Sequence, residues 1–213
     1  MSFKPLTKEY LLKRGSCCNN GCKNCPYKIK QKMELKTVMR PIDSENELIK
    51  FCEYIKKYVG EYPIIVEIGS FMGESAEIFA KSFPKGKIYC IDPWIENFDE
   101  KDAASHADYK EVEQQFDLRT KNYNNIVKIK NYSTNVSLDC DLVYIDGRHF
   151  YEGVKEDILH WLPLTKKVIS GHDYYNDEID KIQPHTAGVR KAVNEILGTP
   201  EKIFNDGSWV IKL

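Results

Sequence analysis

Val66-Glu67-Ile68-Gly69-Ser70-Phe71-Met72-Gly73-Glu74-Ser75, read with Ile88-Tyr89-Cys90-Ile91-Asp92 downstream, decides the fold of this chain. An apolar run from Ile64 to Ile68 closes on a glycine, and an amphipathic helical pattern follows. A second apolar run ends in an acid about 20 residues later, the spacing of a strand–helix–strand unit that grips a ribose. In an open α/β sheet, ligands bind outside the carboxyl ends of the strands, at the switch point. Glycine lets backbone approach the ligand closely, and an acid at the end of the second strand accepts hydrogen bonds from ribose hydroxyls. The stretch therefore reads as a seat for a nucleoside-containing cofactor. A dinucleotide would want Gly-x-Gly-x-x-Gly and amides crowding a pyrophosphate, whereas here the spacing is Gly69-x-x-x-Gly73 and Glu74 would repel that anion. Glu67, just before the turn, suits a cationic ligand.

Glu67-x-Gly69 followed by Gly73-x-Ser75 resembles the first motif of class I S-adenosylmethionine-dependent methyltransferases. The second half extends the likeness. Asp146-Gly147-Arg148-His149-Phe150-Tyr151-Glu152 and Gly171-His172-Asp173-Tyr174 are similar to signatures of a class I family that contains sugar and macrolide O-methyltransferases. His185-Thr186-Ala187-Gly188-Val189-Arg190 resembles that family's segment before its last helix. The resemblance covers roughly residues 45 to 213. It implies a Rossmann-like α/β fold: a sheet of seven strands, the last antiparallel, with helices on both faces. It also implies S-adenosylmethionine as cofactor and a small hydroxylated acceptor such as a sugar.

On that resemblance, Glu67, Gly69, Ser70 and Gly73 are expected at the methionine end, with Ser75 capping or facing the pocket. Asp92 is expected on the ribose, and Trp94, after Pro93, against the adenine, with Asn131, Tyr132 and Ser133 nearby. Methyl transfer from a sulfonium is an in-line displacement, and an alcohol needs a base or a metal to help it lose its proton. Asp146, His149, His172 and Asp173 converge on one sheet edge as the catalytic or metal-binding candidates, with Asp146 also beside the cofactor. In the metal-dependent sugar O-methyltransferases this half resembles, the acid at position 146 and paired acids on the fifth strand bind magnesium. Here His172-Asp173 replaces the acid pair, and imidazole favours zinc, manganese or iron. An alternative is a metal-assisted enzyme of other chemistry, such as hydroxylation, using His149, His172 and Asp173. Another is a scaffold that keeps the pocket without turnover.

Composition bounds the rest. The 213 residues are 42% apolar and 30% charged, enough for one sizeable globular domain with a small appendage. A net charge of −1 gives no electrostatic case for nucleic acid or an anionic membrane, and the basic run Lys28 to Lys36 reads as a solvated linker. No apolar stretch approaches membrane-spanning length and no signal-peptide pattern occurs, so a cytoplasmic protein is expected, one whose seven cysteines stay out of disulfides.

Four of those cysteines crowd one segment, Cys17-Cys18-Asn19-Asn20-Gly21-Cys22-Lys23-Asn24-Cys25. Cys-x-x-Cys on a Gly/Asn turn brings two thiolates to one tetrahedral ion, and Cys17 and Cys18 complete a set for zinc or an iron–sulfur cluster. The segment resembles a small uncharacterised bacterial cysteine-rich family up to Tyr27. Cys18-x-x-x-Cys22-x-x-Cys25 also matches the spacing of radical S-adenosylmethionine enzymes. Asn24 stands where those carry an aromatic residue, and the rest of the chain does not read as their barrel. The expected organisation is a cysteine knuckle and linker over 1–40, offering a docking surface for a protein partner, and a methyltransferase domain over 41–213. Cys52, Cys90 and Cys140 fall in helix or strand patterns as core residues.

Periodicity predicts strands at Ile64–Ile68, Lys87–Asp92, Ile126–Lys130, Leu142–Ile145 and Val168–Ser170. It predicts helices at Ser44–Tyr58 (N-capped by Asp43 or Ser44), Glu74–Ser82, Tyr109–Lys121, Val154–Trp161 and Val189–Leu197. Ile203–Phe204 and Ser208–Leu213 read as a closing hairpin around Asn205-Asp206-Gly207. Residues 94 to 108 fall outside the alternation and read as a lid or substrate wall.

Overall fold

The apolar runs pair as parallel strands. In the computed structural model, which describes residues 7–15, 24, 26, 34–98, 102–175 and 186–213, β1 (Ile64–Ile68) lies between β2 (Lys87–Asp92) and β4 (Cys140–Ile145). β3 (Ile126–Lys130) pairs with β2, and β5 (Thr165–Gly171) with β4, both parallel. β7 (Trp209–Lys212) is inserted antiparallel between β5 and β6 (Lys202–Ile203). The order is β3-β2-β1-β4-β5-β7-β6. It reverses between β1 and β4, which is where an open sheet leaves a crevice.

The central strands β1, β4 and β5 bury both faces, which is why their runs are near-continuously apolar. Ile65, Ile88, Leu142, Tyr144 and Val210 face one layer, built from α2 (Ile42–Val59), α3 (Glu74–Ser82) and α4 (Tyr109–Thr120). Val66, Ile68, Val143, Ile169 and Trp209 face the other, built from α5 (Tyr151–Trp161) and α6 (Ala187–Ile196). α2 buries Leu48, Phe51, Cys52, Ile55 and Val59, the predicted stripe. Its start differs from expectation: Pro41 is the N-cap and no side chain caps it, because proline already fixes the entry dihedral and Asp43 and Ser44 fall inside the first turn. Cys52, Cys90 and Cys140 are free and buried.

The chain divides into two compact units, Met1–Leu35 and Lys36–Leu213. In the first, α1 (Lys8–Lys13) is N-capped by Thr7, whose hydroxyl accepts from the Tyr10 amide at 3.2 Å. Cys17, Cys18, Cys22 and Cys25 lie outside the described residues. The second unit starts ahead of residue 41: residues 36–40 are bonded to α3 and α4, the Lys36 amide donating to Gln115 (2.9 Å) and Arg119 donating to the Lys36 carbonyl. No helix among the described residues is long and apolar enough to cross a membrane.

Candidate active site

Strand register sets the site. Ile68 is level with Ile91 on one side and Ile145 on the other, and Ile145 is level with Gly171. Gly69, Asp92, Asp146 and His172 therefore leave the sheet along one edge. Gly69, Asp92 and Asp146 border a cleft of about 280 Å³ whose walls include Gly69–Met72, Asp92, Pro93, Ile95, Phe98, Tyr109, Tyr132–Thr134 and Asp146–His149.

The turn after β1 requires glycine. Gly69 has φ +81°, and a Cβ there would stand 2.1 Å from the carbonyl oxygen of Asp146. Its amide donates to Ile91 (2.9 Å) while the Asp146 amide donates to Ile68 (2.9 Å), locking three strand ends together. Asp92 accepts from the amides of Phe71 (2.9 Å) and Trp94 (2.6 Å). Burial raises Asp92 to about 6 against the pull of those amides. Ser70, Ser75 and Ser133 also border the cleft.

Three expected cofactor contacts are placed elsewhere. Glu67 is fully buried beneath the turn and does not border the cleft, because strand alternation turns it into the α2/α3 layer. There it accepts from Ser70 Oγ at 2.5 Å, and its Oε1 has no partner among the described residues. Burial pushes Glu67 up to about 7, against the opposing pull of Ser70, Ser75 and Cys90 beside it. Gly73 faces the Phe116 ring, not the cleft. Trp94, with φ +47°, is turned inward: its ring packs edge-on against Phe116 at 4.9 Å and its Nε1–H donates to the Phe71 carbonyl. The aromatic walls are Phe71, Phe98, Tyr109 and Tyr132 instead.

At the other end, the four expected catalytic residues come together but divide in two. His149 Nδ1 lies 3.0 Å from Asp102, and its Nε2 lies 3.2 Å from Asp173 and 3.6 Å from Asp146. Burial alone would lower the His149 pKa, but Asp173, Asp102 and Asp146 prevail and hold it well above the ordinary histidine value. Burial works against the Asp173 charge too, yet the two histidines beside it keep its carboxyl well below the usual range. Asp146, His149 and Asp173 each offer one ligand atom within 4.8 Å of the others. His172 is not in that set. Its Nδ1 faces Asp173 (3.0 Å) and its Nε2 faces Arg40 (3.0 Å), so the expected ligand trio exchanges His172 for His149.

Two site residues escaped the sequence reading. Asp102 sits in the 94–108 segment, which also supplies Ile95, Phe98 and Ala104 to the cleft as a wall should. Arg40 arrives from the segment before α2, with nothing in the local pattern to mark it. Its guanidinium, 5% exposed, donates to Asp146 (3.1 Å), Asp206 (3.0 Å) and Tyr144 (3.1 Å). Burial opposes its charge, but Tyr144, Asp146 and Asp206 raise the Arg40 pKa beyond even the ordinary arginine value.

A 3-2-1-4-5-7-6 sheet with a cleft at its switch point is the class I methyltransferase fold. The profile of the methyltransferase-domain family matches residues 66–174, half of the chain, and the protein belongs to that family. Residues 2–31 match a family of unknown function, DUF5522. The uncharacterized protein y4gI of Sinorhizobium fredii is 26% identical over 123 residues, 51% of this chain but 13% of that protein, so the chain spans a small part of this relative's length. Among solved structures, a Staphylococcus aureus protein provisionally named a caffeoyl-CoA O-methyltransferase superposes with TM-score 0.56 at 16% identity, over 81% of this chain and 84% of that one. The calicheamicin methyltransferase CalS11 gives 0.55 at 13% identity, over 81% and 80%. Both are likenesses of fold.

Proposed function

We propose that the protein is an S-adenosylmethionine-dependent methyltransferase that O-methylates a small hydroxylated acceptor, a sugar or natural product. The observation that carries this reading is the contact of Gly69 with Asp146. It sets the turn that would seat the cofactor directly against the acid cluster that would receive the acceptor.

The residues present fit the cofactor. The cleft is rich in carboxylates, Asp92, Asp102, Asp146, Glu156 and Asp157 among them, which suits a ligand bearing a sulfonium and an ammonium. Gly69 leaves a cradle that a Cβ would fill, and Ser70 and Ser75 border the cleft beside it. Bound S-adenosylmethionine supplies an electrophilic methyl group. Asp92 would accept from the ribose hydroxyls, and Tyr132 and Ser133 would flank the base.

The acid cluster handles the acceptor's proton. Asp102 fixes His149 through Nδ1, leaving Nε2 toward Asp146 and Asp173; the imidazole becomes a base once those carboxylates are engaged. Asp146, His149 and Asp173 also fit a divalent ion, which would lower the hydroxyl pKa. Two carboxylates with one imidazole favour manganese, iron or zinc over magnesium. The hydroxylase-like alternative is less well supported, since that trio holds one histidine and not two. Zinc or an iron–sulfur cluster at Cys17, Cys18, Cys22 and Cys25, with protein docking there, stands as part of the proposal on sequence grounds alone.

Calorimetric titration of metal-stripped protein with S-adenosylmethionine and S-adenosylhomocysteine, wild type beside Asp92→Ala, tests the reading. Micromolar binding lost on substitution supports it, and absence of binding by either ligand overturns it. An acceptor screen with and without divalent ions, with Asp146→Ala as control, then separates an enzyme from a cofactor-binding scaffold.

A further inference from the structure

Arg40 lies outside the matched methyltransferase segment, yet it sits in the middle of the acid cluster. Three features bring it there. The carboxylate of Glu74, at the first turn of α3, accepts from the backbone amides of Val38 (2.7 Å), Met39 (3.2 Å) and Arg40 (2.7 Å). Lys36 is held by Gln115 and Arg119 from α4. The strap 36–40 is thereby fixed along its length, and Arg40 projects from its end into the interior. There the side chain meets Tyr144 on β4, Asp146 just past its end, His172 after β5, and Asp206 in the β6–β7 turn. Tyr144 and Asp206 are further joined through Ser208 Oγ, at 2.9 Å from each.

An arginine only donates hydrogen bonds. Facing Arg40 at 3.0 Å, the Nε2 of His172 must accept, so the proton sits on Nδ1, from which it is donated to Asp173 at 3.0 Å. Arg40 also binds the Oδ2 of Asp146 (3.1 Å), which leaves Oδ1 toward His149 (3.6 Å) and His172 (3.7 Å). One guanidinium thus fixes which oxygen of Asp146 faces the histidines and which nitrogen of His172 carries the proton.

We infer that the strap 36–40 is part of the acceptor side of the site and that Arg40 is its positioning residue, holding Asp146 by one oxygen and His172 in the Nδ1–H tautomer so that Asp146 and Asp173 are presented to His149. This goes beyond the proposed methyl transfer and rests on it only for the word acceptor; the geometry stands whether or not the cofactor binds.

The test is nitrogen-15 NMR of the histidine side chains in the full-length protein, with His172→Gln used to assign the His172 signals. Wild type is expected to show His172 protonated at Nδ1 and bare at Nε2. Arg40→Lys, which keeps a donor, should retain that pattern. Arg40→Met should lose it, and because it strands the buried Asp206, Arg40→Met/Asp206→Asn is the variant to read if the single substitution unfolds. Glu74→Gln, which loosens the backbone of the strap without altering the Arg40 side chain, should shift the same signals part of the way. A proton on Nε2 of His172 in wild type, or an unchanged tautomer in the folded double variant, would overturn the inference. Failure of cofactor binding in calorimetry, with the tautomer pattern as expected, would sink the proposed function and leave this assignment in place.

Discussion

Glu67 and Asp92 sit on neighbouring strands, and both are acids held away from water, but they are asked for different things. Glu67 has a partner for one oxygen only and is pushed up to about 7 from 4.5. An acid raised on folding binds more protons in the native state than in the unfolded one between those values. Stability is therefore lost as pH rises from about 4.5 through about 7, by on the order of 3 kcal/mol for this group. Glu67→Gln should abolish that share, so that denaturation at pH 5 and pH 8 gives a wild-type-minus-mutant difference that changes by about this amount. Gly69→Ala should cost at least about 3 kcal/mol, because it combines φ +81° with a Cβ 2.1 Å from the Asp146 carbonyl oxygen, and urea denaturation reads it directly. Trp94→Phe tests the corrected role of that ring. Losing the indole donor to Phe71 should cost about 1–2 kcal/mol in stability, with S-adenosylhomocysteine affinity changed less than about threefold, since the ring faces Phe116 and not the cleft. A sequence cannot show which way the backbone turns at φ +47°, so Trp94 read as a ligand contact although its geometry makes it packing.

At the scale of elements, β1, α3, β2 and β3 were legible to the residue, because alternation, length and turn chemistry agree there. The hairpin around Asn205-Asp206-Gly207 was legible for the same reason. What escaped was the work of elements without periodicity. The strap 36–40 read as linker, since its contacts are made by backbone amides to Glu74 and leave no pattern in the side chains. Helix α5 begins three residues before its predicted start, at Tyr151, because Phe150 serves as N-cap through backbone alone. That early start matters to the site, for His149 is placed by the junction of α5 with α6. A Cβ on Gly188 would stand 2.4 Å from both the His149 carbonyl oxygen and the Tyr151 amide nitrogen. Gly188→Ala should therefore push α6 off the head of α5, costing roughly 2 kcal/mol or more. It should also move the His149 side-chain resonances, whereas an equally destabilising change at Val193, deeper in the same interface, should leave them in place.

For the whole molecule, the consequence of this architecture is that cofactor binding, ionisation and stability are one linked equilibrium. The cleft lies at the junction of three strand ends, so a ligand there binds the folded state alone and stabilises it by mass action, about 2.7 kcal/mol at a hundredfold excess over Kd. Asp92 makes that gain depend on pH. The strong, charge-assisted hydrogen bond that a ribose hydroxyl would donate to Asp92 needs the ionised carboxylate, and in the free protein burial holds Asp92 at about 6. Below that value the ligand must first displace a proton, so affinity falls by up to tenfold per pH unit; above it the dependence vanishes. S-adenosylhomocysteine is the ligand to use, because it lacks the sulfonium charge that would act on every carboxylate of the cleft. Between pH 5 and pH 7.5 its affinity for the wild type should rise about tenfold, which corresponds to about 1.4 kcal/mol of added stabilisation at fixed ligand. For a domain of this size that is a further 3–5 °C or so in Tm shift. Asp92→Asn, permanently uncharged but similar in shape, should bind more weakly at pH 7.5 and lose the pH dependence across the same range. A slope that persists in Asp92→Asn would assign the proton to another carboxylate of the cleft and remove Asp92 from the ribose.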